Sequence, residues 1–248
     1  RNFYEKNKER LQLDTGNNHI ILLGDVGANY ALQGQQDARF KKALSRYPFT
    51  YICLRGNHEA RVQKVMEMHP EKWEAKMKYG GEIYVEKKFP RIEYLSDGPA
   101  VYEFDGYKTF SLPGAYSVDK WYRLNHGWTW FEDEQLSEEE MNTGRKIKAE
   151  ELEFDLVISH TCPISYEPRD LFLPYINQET VDKRMEQYLG EIEEGLSYKR
   201  WAFGHFHADR LYPWKDSKQM LMLFNRSVVD LQKFMHMTEK DGLQDILA

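Results

Sequence analysis

Four short, continuously apolar runs stand out in the pattern of hydrophobic and polar positions along the chain. They occupy residues 20–23, 51–54, 156–158 and 201–203. Runs of this length, rich in β-branched and aromatic residues, are typical of strands that are buried on both faces. Stretches compatible with helices separate them, at residues 31–46, 59–68 and 179–194. This alternation predicts an α/β fold whose main strands are parallel.

Antiparallel strands are predicted in the middle of the chain. Two short candidates lie at residues 82–85 and 92–95. An Asp-Gly turn at residues 105–106 then joins apolar runs at 101–104 and 107–112. Asp-Gly between two such runs is a strong signal for a β-hairpin. The sheets are therefore expected to be mixed.

No linker rich in Pro, Gly or Ser divides the chain, and no internal repeat is visible. We therefore expect one domain over residues 1–248, with residues 230–248 as a C-terminal tail. The acidic run at residues 132–140 contains Ser137 and, three residues later, Glu140. This spacing is a capping box, which predicts that a solvated helix begins there.

Composition narrows the range of partners. The chain has 34 Lys and Arg against 40 Asp and Glu, a net charge of −6, and only two cysteines, Cys53 and Cys162. The acidic balance argues against general binding to nucleic acid or to membrane surfaces. Two cysteines cannot form a disulfide framework or a zinc–thiolate cluster, so a reducing, cytoplasmic compartment is expected. The longest apolar run, residues 220–224, is far shorter than the roughly 18 residues that span a bilayer.

Residues with metal-binding side chains follow each of the four apolar runs. In chain order they occur in the segments Gly24-Asp25, Gly56-Asn57-His58-Glu59, His160 and Gly204-His205-Phe206-His207. In open α/β sheets, ligands bind beyond the carboxyl ends of the strands. Imidazole, carboxylate and amide oxygen ligands without thiolate suit Mn, Fe, Zn, Co or Ni. Because one carboxylate can bridge two ions, these residues make a dinuclear metal site plausible.

Each of these elements has a plainer explanation when it is taken alone. Gly24-Asp25 is more often a turn, and Asn57 is more often a helix cap. His160 is equally compatible with a buried, hydrogen-bonded core histidine. Their occurrence in this order, each at the end of a buried strand, favours the metal site.

The ordered series resembles the calcineurin-like metallophosphoesterase family, over residues 19–225. The resemblance implies a four-layer α/β sandwich of two mixed β-sheets flanked by helices. It also implies two divalent metal ions, Mn first, with Fe, Zn or Ni as alternatives. The implied reaction is hydrolysis of a phosphoester, as phosphatase or phosphodiesterase, by a hydroxide bound between the metals.

The resemblance also implies roles for individual residues. Asp25 bridges the two metals; Asn57, His160 and His205 complete the site of one, and His207 belongs to the other. His58 resembles the histidine that is not a ligand and that protonates the leaving group or stabilises the transition state. Catalysis is therefore assigned to His58 and Asp25, and contact with the substrate is assigned to Arg55, Arg123, Asn57 and His58.

The resemblance is incomplete at the start of the chain. The family opens with a Gly-Asp-x-His element, which supplies two ligands to the metal that His207 also binds, and this element is not found here. Its usual spacing from Asp25 would place it before Arg1, so we expect that the first strand precedes the sequence shown. On that expectation, this chain alone binds one metal well and the second poorly.

Two further departures concern the substrate. Residues 54–59 resemble the serine/threonine protein phosphatases, but the Asp-Arg-Gly that those enzymes carry after Gly-Asp is lacking here. Arg123 is a candidate to replace the missing guanidinium, and an ion pair with Asp119, four residues earlier, is the equal alternative. Four aromatic residues could wall a pocket for an aryl group or nucleobase, or simply pack in the core or rim. They are Tyr116, Trp121, Trp128 and Trp130.

Three functions remain open at this point. The first is a phosphoester hydrolase that acts on a phosphorylated small molecule, a nucleotide or a phosphoprotein, with a serine/threonine-type protein phosphatase as one form of it. The second is a phosphoesterase-like scaffold without activity, which is expected to lose metal ligands. The third is a metal-dependent nuclease, and the net charge of −6 gives it no support.

Overall fold

Two mixed β-sheets form the centre of the fold. The computed structural model describes residues 2–9, 11, 13, 18–32, 35–150, 153–224 and 227–248. Within those residues the first sheet contains β1 (Asn18–Leu22), β2 (Phe49–Cys53), β3 (Trp73–Lys78), β4 (Gly81–Glu86) and β5 (Ile92–Leu95). Their spatial order is β1-β2-β5-β4-β3. The pairs β1–β2 and β2–β5 are parallel, whereas β5–β4 and β4–β3 are antiparallel.

The second sheet has the spatial order β10-β11-β9-β8-β7-β6 among the described residues. Its strands are β6 (Ala100–Phe104), β7 (Tyr107–Leu112), β8 (Phe154–Ser159), β9 (Tyr198–Phe203), β10 (Arg210–Leu211) and β11 (Gln219–Met222). The central strands β7, β8, β9 and β11 are parallel. The outer pairs β6–β7 and β10–β11 are antiparallel.

Helices flank the two sheets. The structure describes α1 (Asn2–Asn7), α2 (Gln36–Leu44), α3 (Val62–Met68), α4 (Lys120–Asn125), α5 (Glu138–Ala149), α6 (Arg184–Glu193), α7 (Leu231–His236) and α8 (Leu243–Ile246). None of the helices in the described part of the chain is long and apolar enough to cross a membrane.

Alternation along the strands explains why the two sheets stack. Successive side chains of a strand point to opposite faces, so one buried strand supplies two cores. In β2, Ile52 packs between the sheets, whereas Tyr51 and Cys53 pack in the outer core of the first sheet, which also contains residues of α3. In β9, Ala202 packs between the sheets, and Trp201 packs with residues of α5 and α6. The predicted four-layer sandwich is confirmed.

The local signals for the hairpin and the capping box are also confirmed. Asp105 and Gly106 both have positive φ, as a two-residue hairpin turn requires. Ser137 accepts a hydrogen bond from the backbone N–H of Glu140, and the Glu140 carboxylate accepts one from the N–H of Ser137. The helix that they open is α5.

The C-terminal segment differs from the expected tail. Residues 230–248 form α7 and α8, and Phe234 and Ile246 are buried in the core between the sheets. The Arg200 guanidinium donates hydrogen bonds to the carbonyl oxygens of Phe234, Met235 and Met237. Scattered apolar residues in a polar segment thus fix it against the second sheet.

Candidate active site

The candidate site lies where the carboxyl ends of β1, β2, β8 and β9 meet. Asp25 follows β1, Asn57 and His58 follow β2, His160 follows β8 directly, and His205 follows β9. Because β1 and β2 are parallel, and so are β8 and β9, these loops leave their sheets at the same edge. Direct contact joins the two sheets there, since the His160 Nδ1 atom lies 2.6 Å from the Leu23 carbonyl oxygen.

Three of the predicted ligands form a tight group. Ligand atoms of Asp25, His160 and His205 all lie within 4.8 Å of one another. The His160 Nε2 atom is 3.4 Å from Asp25 Oδ2 and 2.8 Å from Asn57 Oδ1. The structure therefore brings four predicted metal ligands together from four separate strand ends.

The hydrogen bond at Nδ1 determines which nitrogen of His160 faces the group. A carbonyl oxygen only accepts, so Nδ1 carries the proton that is donated to Leu23. In the neutral ring, Nε2 then has a free lone pair, yet it faces the Asn57 and Asp25 oxygens, which also carry lone pairs. Only a proton on Nε2 or a cation among the three atoms makes this arrangement favourable. A ring N–H held by a carbonyl is also the usual support of a histidine bound to a metal.

The spacing of these atoms suits a divalent metal ion. Ligand atoms lie about 2.0–2.2 Å from such an ion, so neighbouring ligands at right angles are about 3 Å apart. The observed separations of 2.8 and 3.4 Å bracket that value. The donor set, one carboxylate, one amide oxygen and two imidazoles, fits Mn, Fe, Zn or Ni.

The charge states of Asp25 and His205 suit ligands of a bound cation. Burial opposes ionisation of Asp25, but His160 and His58 outweigh it and hold the pKa of that carboxyl well below its usual range. Burial and the neighbouring His160 lower the pKa of His205 to about 3. Burial disfavours charge on His160, but Asp25 dominates and raises its pKa. Asp25 is thus an anion, and His205 is a neutral ring with a lone pair to offer.

Two glycines allow this close packing. A Cβ atom on Gly56 would lie 2.1 Å from Asp25 Oδ1, and a Cβ on Gly24 would lie 2.1 Å from His160 Nδ1. Asp25 itself has φ of 53° and His205 has φ of 68°. Non-glycine residues rarely adopt this left-handed region, and it is concentrated at functional sites.

Family comparison identifies the class to which this geometry belongs. A family model described as calcineurin-like phosphoesterase matches residues 2–209. The chain belongs to this family. This phosphoesterase is therefore a hydrolase, and the family supports metal-dependent hydrolysis of phosphoesters in general. The predicted resemblance is confirmed.

Other comparisons add little about this phosphoesterase. No curated protein sequence matches it at a significant level. Sixteen chains of solved structures match it. One is the crystal structure of a phosphopantetheinyl hydrolase from Mycobacterium tuberculosis, which has 16% sequence identity and a TM-score of 0.41 over 83% of this chain and 79% of that one. This similarity is too low to support any argument about the present chain.

Next to the predicted ligands of the phosphoesterase, His58 is held between Asp25 and Arg123. The His58 Nε2 atom is 3.9 Å from Asp25 Oδ2 and accepts a hydrogen bond of 3.0 Å from the Arg123 guanidinium. Burial and the positive charge of Arg123 lower the pKa of His58 against the pull of Asp25. Arg123 also donates to Asp119 at 2.8 Å, so the ion pair that the sequence offered as the alternative is present, and its side chain is buried.

Arg55 occupies an internal position. Its guanidinium donates to the carbonyl oxygens of Glu134, at 2.8 Å, and Asp97, at 3.3 Å, and it pairs with the Asp97 carboxylate. Burial lowers the pKa of this guanidinium, and Asp97 partly offsets that effect. Because its guanidinium is engaged inside the protein, Arg55 is not proposed as a substrate contact.

His207 is not part of the group that Asp25, His160 and His205 form among the described residues. Its side chain is exposed, its backbone has φ of 56°, and its ring centroid is 5.0 Å from that of Phe224.

The four aromatic residues proposed as a pocket wall differ in exposure. Trp121 and Trp128 are 66% and 52% exposed, whereas Tyr116 and Trp130 are half-buried. Trp121 lies on α4 with Arg123, and Trp128 follows that helix, which the sequence pattern did not predict.

Glu59 supports the site, although its position in the sequence did not predict a role for it. Its buried carboxylate accepts hydrogen bonds from the backbone N–H groups of Gly27, at 2.8 Å, and Gly56, at 3.2 Å. It thereby ties together the loops that carry Asp25 and Asn57. Burial and the charge of Asp25 raise the pKa of Glu59 to about 7. Its place beside Asn57 and His58 was the only available signal.

Proposed function

We propose that this phosphoesterase hydrolyses a phosphomonoester or phosphodiester at a centre of two divalent metal ions, with Mn²⁺ as the first candidate. Asp25, Asn57, His160 and His205 would hold one ion. His207, together with Asp25, would contribute to the other. The observation that carries the proposal is the convergence of lone pairs: Asp25 Oδ2 and Asn57 Oδ1 both lie within 3.4 Å of His160 Nε2.

Bound metal ions would supply Lewis acidity, which lowers the pKa of water and neutralises charge on phosphoryl oxygens. The protein's own part is positioning and proton transfer. Arg123 presents a guanidinium beside the ligands, and that group suits bidentate contact with phosphoryl oxygens. His58, which Arg123 contacts, is within reach of the same place and is the candidate to protonate the leaving oxygen. Asp119 keeps the Arg123 side chain directed inward.

A panel of metals and substrates tests this function. Protein treated with EDTA should be inactive, and addition of Mn²⁺ or Ni²⁺ should restore turnover. Rates on p-nitrophenyl phosphate, on bis-p-nitrophenyl phosphate and on a phosphoserine peptide then separate monoesterase, diesterase and protein phosphatase activity. The variant Asp25→Asn should lose both metal and turnover. Protein that binds metal but cleaves none of these substrates would instead favour the scaffold.

A further inference from the structure

A row of three buried polar side chains leads away from the proposed metal ligands. Asn57 and Ser117 are each 1% exposed, and Glu134 is 2% exposed. The Asn57 side-chain nitrogen is 2.8 Å from Ser117 Oγ, and Ser117 Oγ is 2.5 Å from Glu134 Oε2. The backbone N–H of Ser117 donates to the other carboxylate oxygen, Glu134 Oε1, at 2.9 Å.

Donor and acceptor rules give this row a direction. Both oxygens of Glu134 accept from Ser117, which is the pattern of a carboxylate. Burial raises the pKa of Glu134, whereas the two hydrogen bonds from Ser117 stabilise the carboxylate and oppose that rise. Since the Ser117 hydroxyl donates its one proton to Glu134, its oxygen can only accept from Asn57. The group of Asn57 that faces Ser117 must then be the NH₂.

The opposite end of the Asn57 amide faces the metal ligands. With the NH₂ held by Ser117, the carbonyl oxygen Oδ1 points at His160 Nε2, 2.8 Å away. A reversed amide would place two N–H donors there instead. An NH₂ group has no lone pair for a cation, so a reversed Asn57 would remove one ligand and add a repulsive dipole.

We propose that Ser117 and Glu134 are positioning residues that hold the Asn57 amide with its oxygen toward the metal. The inference rests on the proposed function, because it requires that Asn57 is a metal ligand. Partners that orient metal ligands typically change metal affinity by about 10–100-fold when they are mutated. The effect passes through the direction of one amide, which separates it from a general loss of stability.

The variant Glu134→Gln is the sharpest perturbation because it keeps the size of the side chain. The backbone N–H of Ser117 is a fixed donor, so it takes the Gln oxygen as its acceptor. The Gln NH₂ then faces Ser117 Oγ and turns the hydroxyl proton toward Asn57. This reverses the row and favours the wrong orientation of the Asn57 amide.

Mn²⁺ binding to EDTA-treated protein, measured by titration calorimetry, tests the proposal. We expect Glu134→Gln to bind Mn²⁺ about 10–100-fold more weakly than wild type, and Ser117→Ala to be weakened also. The double variant Asn57→Asp/Glu134→Gln should regain at least about tenfold over Glu134→Gln, because the introduced carboxylate accepts from Ser117 and still offers an oxygen to the metal. Glu93→Gln, at a buried glutamate that accepts from Lys78 and Tyr79, is the control and should bind as wild type does.

Two results would overturn the inference while leaving the proposed function intact. One is wild-type Mn²⁺ affinity in both Glu134→Gln and Ser117→Ala. The other is weak binding by Glu134→Gln that the added Asn57→Asp change does not restore, since the loss would then come from altered structure and not from the amide. Wild-type protein that binds no Mn²⁺ would overturn both proposals. Thermal unfolding of each metal-free variant shows whether it is folded.

Discussion

Gly56→Ala should disable the metal site by displacing Asp25. The added Cβ atom would lie 2.1 Å from Asp25 Oδ1 and 2.4 Å from the Asp25 backbone nitrogen. Real Cβ contacts essentially never fall below 3.0 Å, so the two loops must separate by about 0.6 Å to clear the backbone nitrogen, and the Asp25 carboxylate must move by about 0.9 Å. Gly56 is not one of the described residues with positive φ. An added methyl group would therefore destabilise the protein through steric overlap and not through backbone strain.

A shift of that size is large for a metal ligand. Ligand distances in metal sites hold to within about 0.2 Å, and supporting contacts are typically worth about 10–100-fold in affinity. The shift also strains the hydrogen bond from the Gly56 N–H to Glu59. We therefore expect Mn²⁺ affinity to fall by at least about tenfold. Overpacking should also lower the free energy of unfolding by about 1–3 kcal/mol.

The assay compares Gly56→Ala with a glycine that has room for a methyl group. At Gly98 the atom nearest to an added Cβ is 3.6 Å away, an ordinary contact, so Gly98→Ala should behave as wild type. Mn²⁺ titration of EDTA-treated protein, turnover of p-nitrophenyl phosphate and urea unfolding are measured for both variants. If Gly56→Ala keeps wild-type metal affinity and turnover, Asp25 does not need the observed position, and the assignment of the site is wrong.

Three further predictions address the other groups of the site. His58→Ala should keep its metal and lose about 10²–10⁴-fold in turnover of an alkyl phosphate. The loss on p-nitrophenyl phosphate should be much smaller, because its leaving group needs no proton. Equal losses on the two substrates would exclude His58 as a general acid. Arg123→Ala should raise KM for phosphate esters more than Asp119→Ala does, and unchanged KM in steady-state assays would remove Arg123 from the substrate contacts. The third concerns Glu59, whose pKa is about 7 in the fold against 4.5 ordinarily. The folded, metal-free protein therefore binds a proton that the unfolded chain releases, so the free energy of unfolding should fall by up to about 3 kcal/mol as pH rises from about 5 to about 7.5. In urea titrations Glu59→Gln should lack this slope, and an identical slope in both proteins would contradict it.

The sequence was most informative where local pattern and tertiary structure agree. An apolar run buried on both faces is unambiguous over residues 51–54 or 201–203, and the position of the polar residues at its end follows from the geometry of parallel strands. That is why the positions of Asp25, His160 and His205 at one edge could be anticipated. The sequence pattern did not predict β3, because Trp73 is the only buried residue of that strand and its other residues have the pattern of an exposed surface.

Arg123 and Glu134 show why the surroundings of the site were harder to predict. Helix α4 buries Arg123 and exposes Trp121, Tyr122 and Leu124, the reverse of the usual pattern of an amphipathic helix. The acidic run at residues 132–140 was expected to be solvated, yet Glu134 is buried because Ser117, 17 residues earlier, donates two hydrogen bonds to it. A buried charge is stable only with such partners, and chain spacing does not reveal which residues these are.

The same reasoning explains why ligand identity was easier to infer than ligand orientation. Asp25, Asn57 and His160 could be proposed as ligands from residue type, order and the family resemblance, but an amide has two ends that differ only in hydrogen-bonding character. Which end of Asn57 faces the proposed metal site is decided by Ser117 and Glu134, and which nitrogen of His160 does so is decided by the Leu23 carbonyl. Both decisions depend on groups far away in the chain that only the fold brings into contact. If the site works as proposed, substitutions at these supporting positions should therefore affect metal binding as strongly as some substitutions of the ligands themselves.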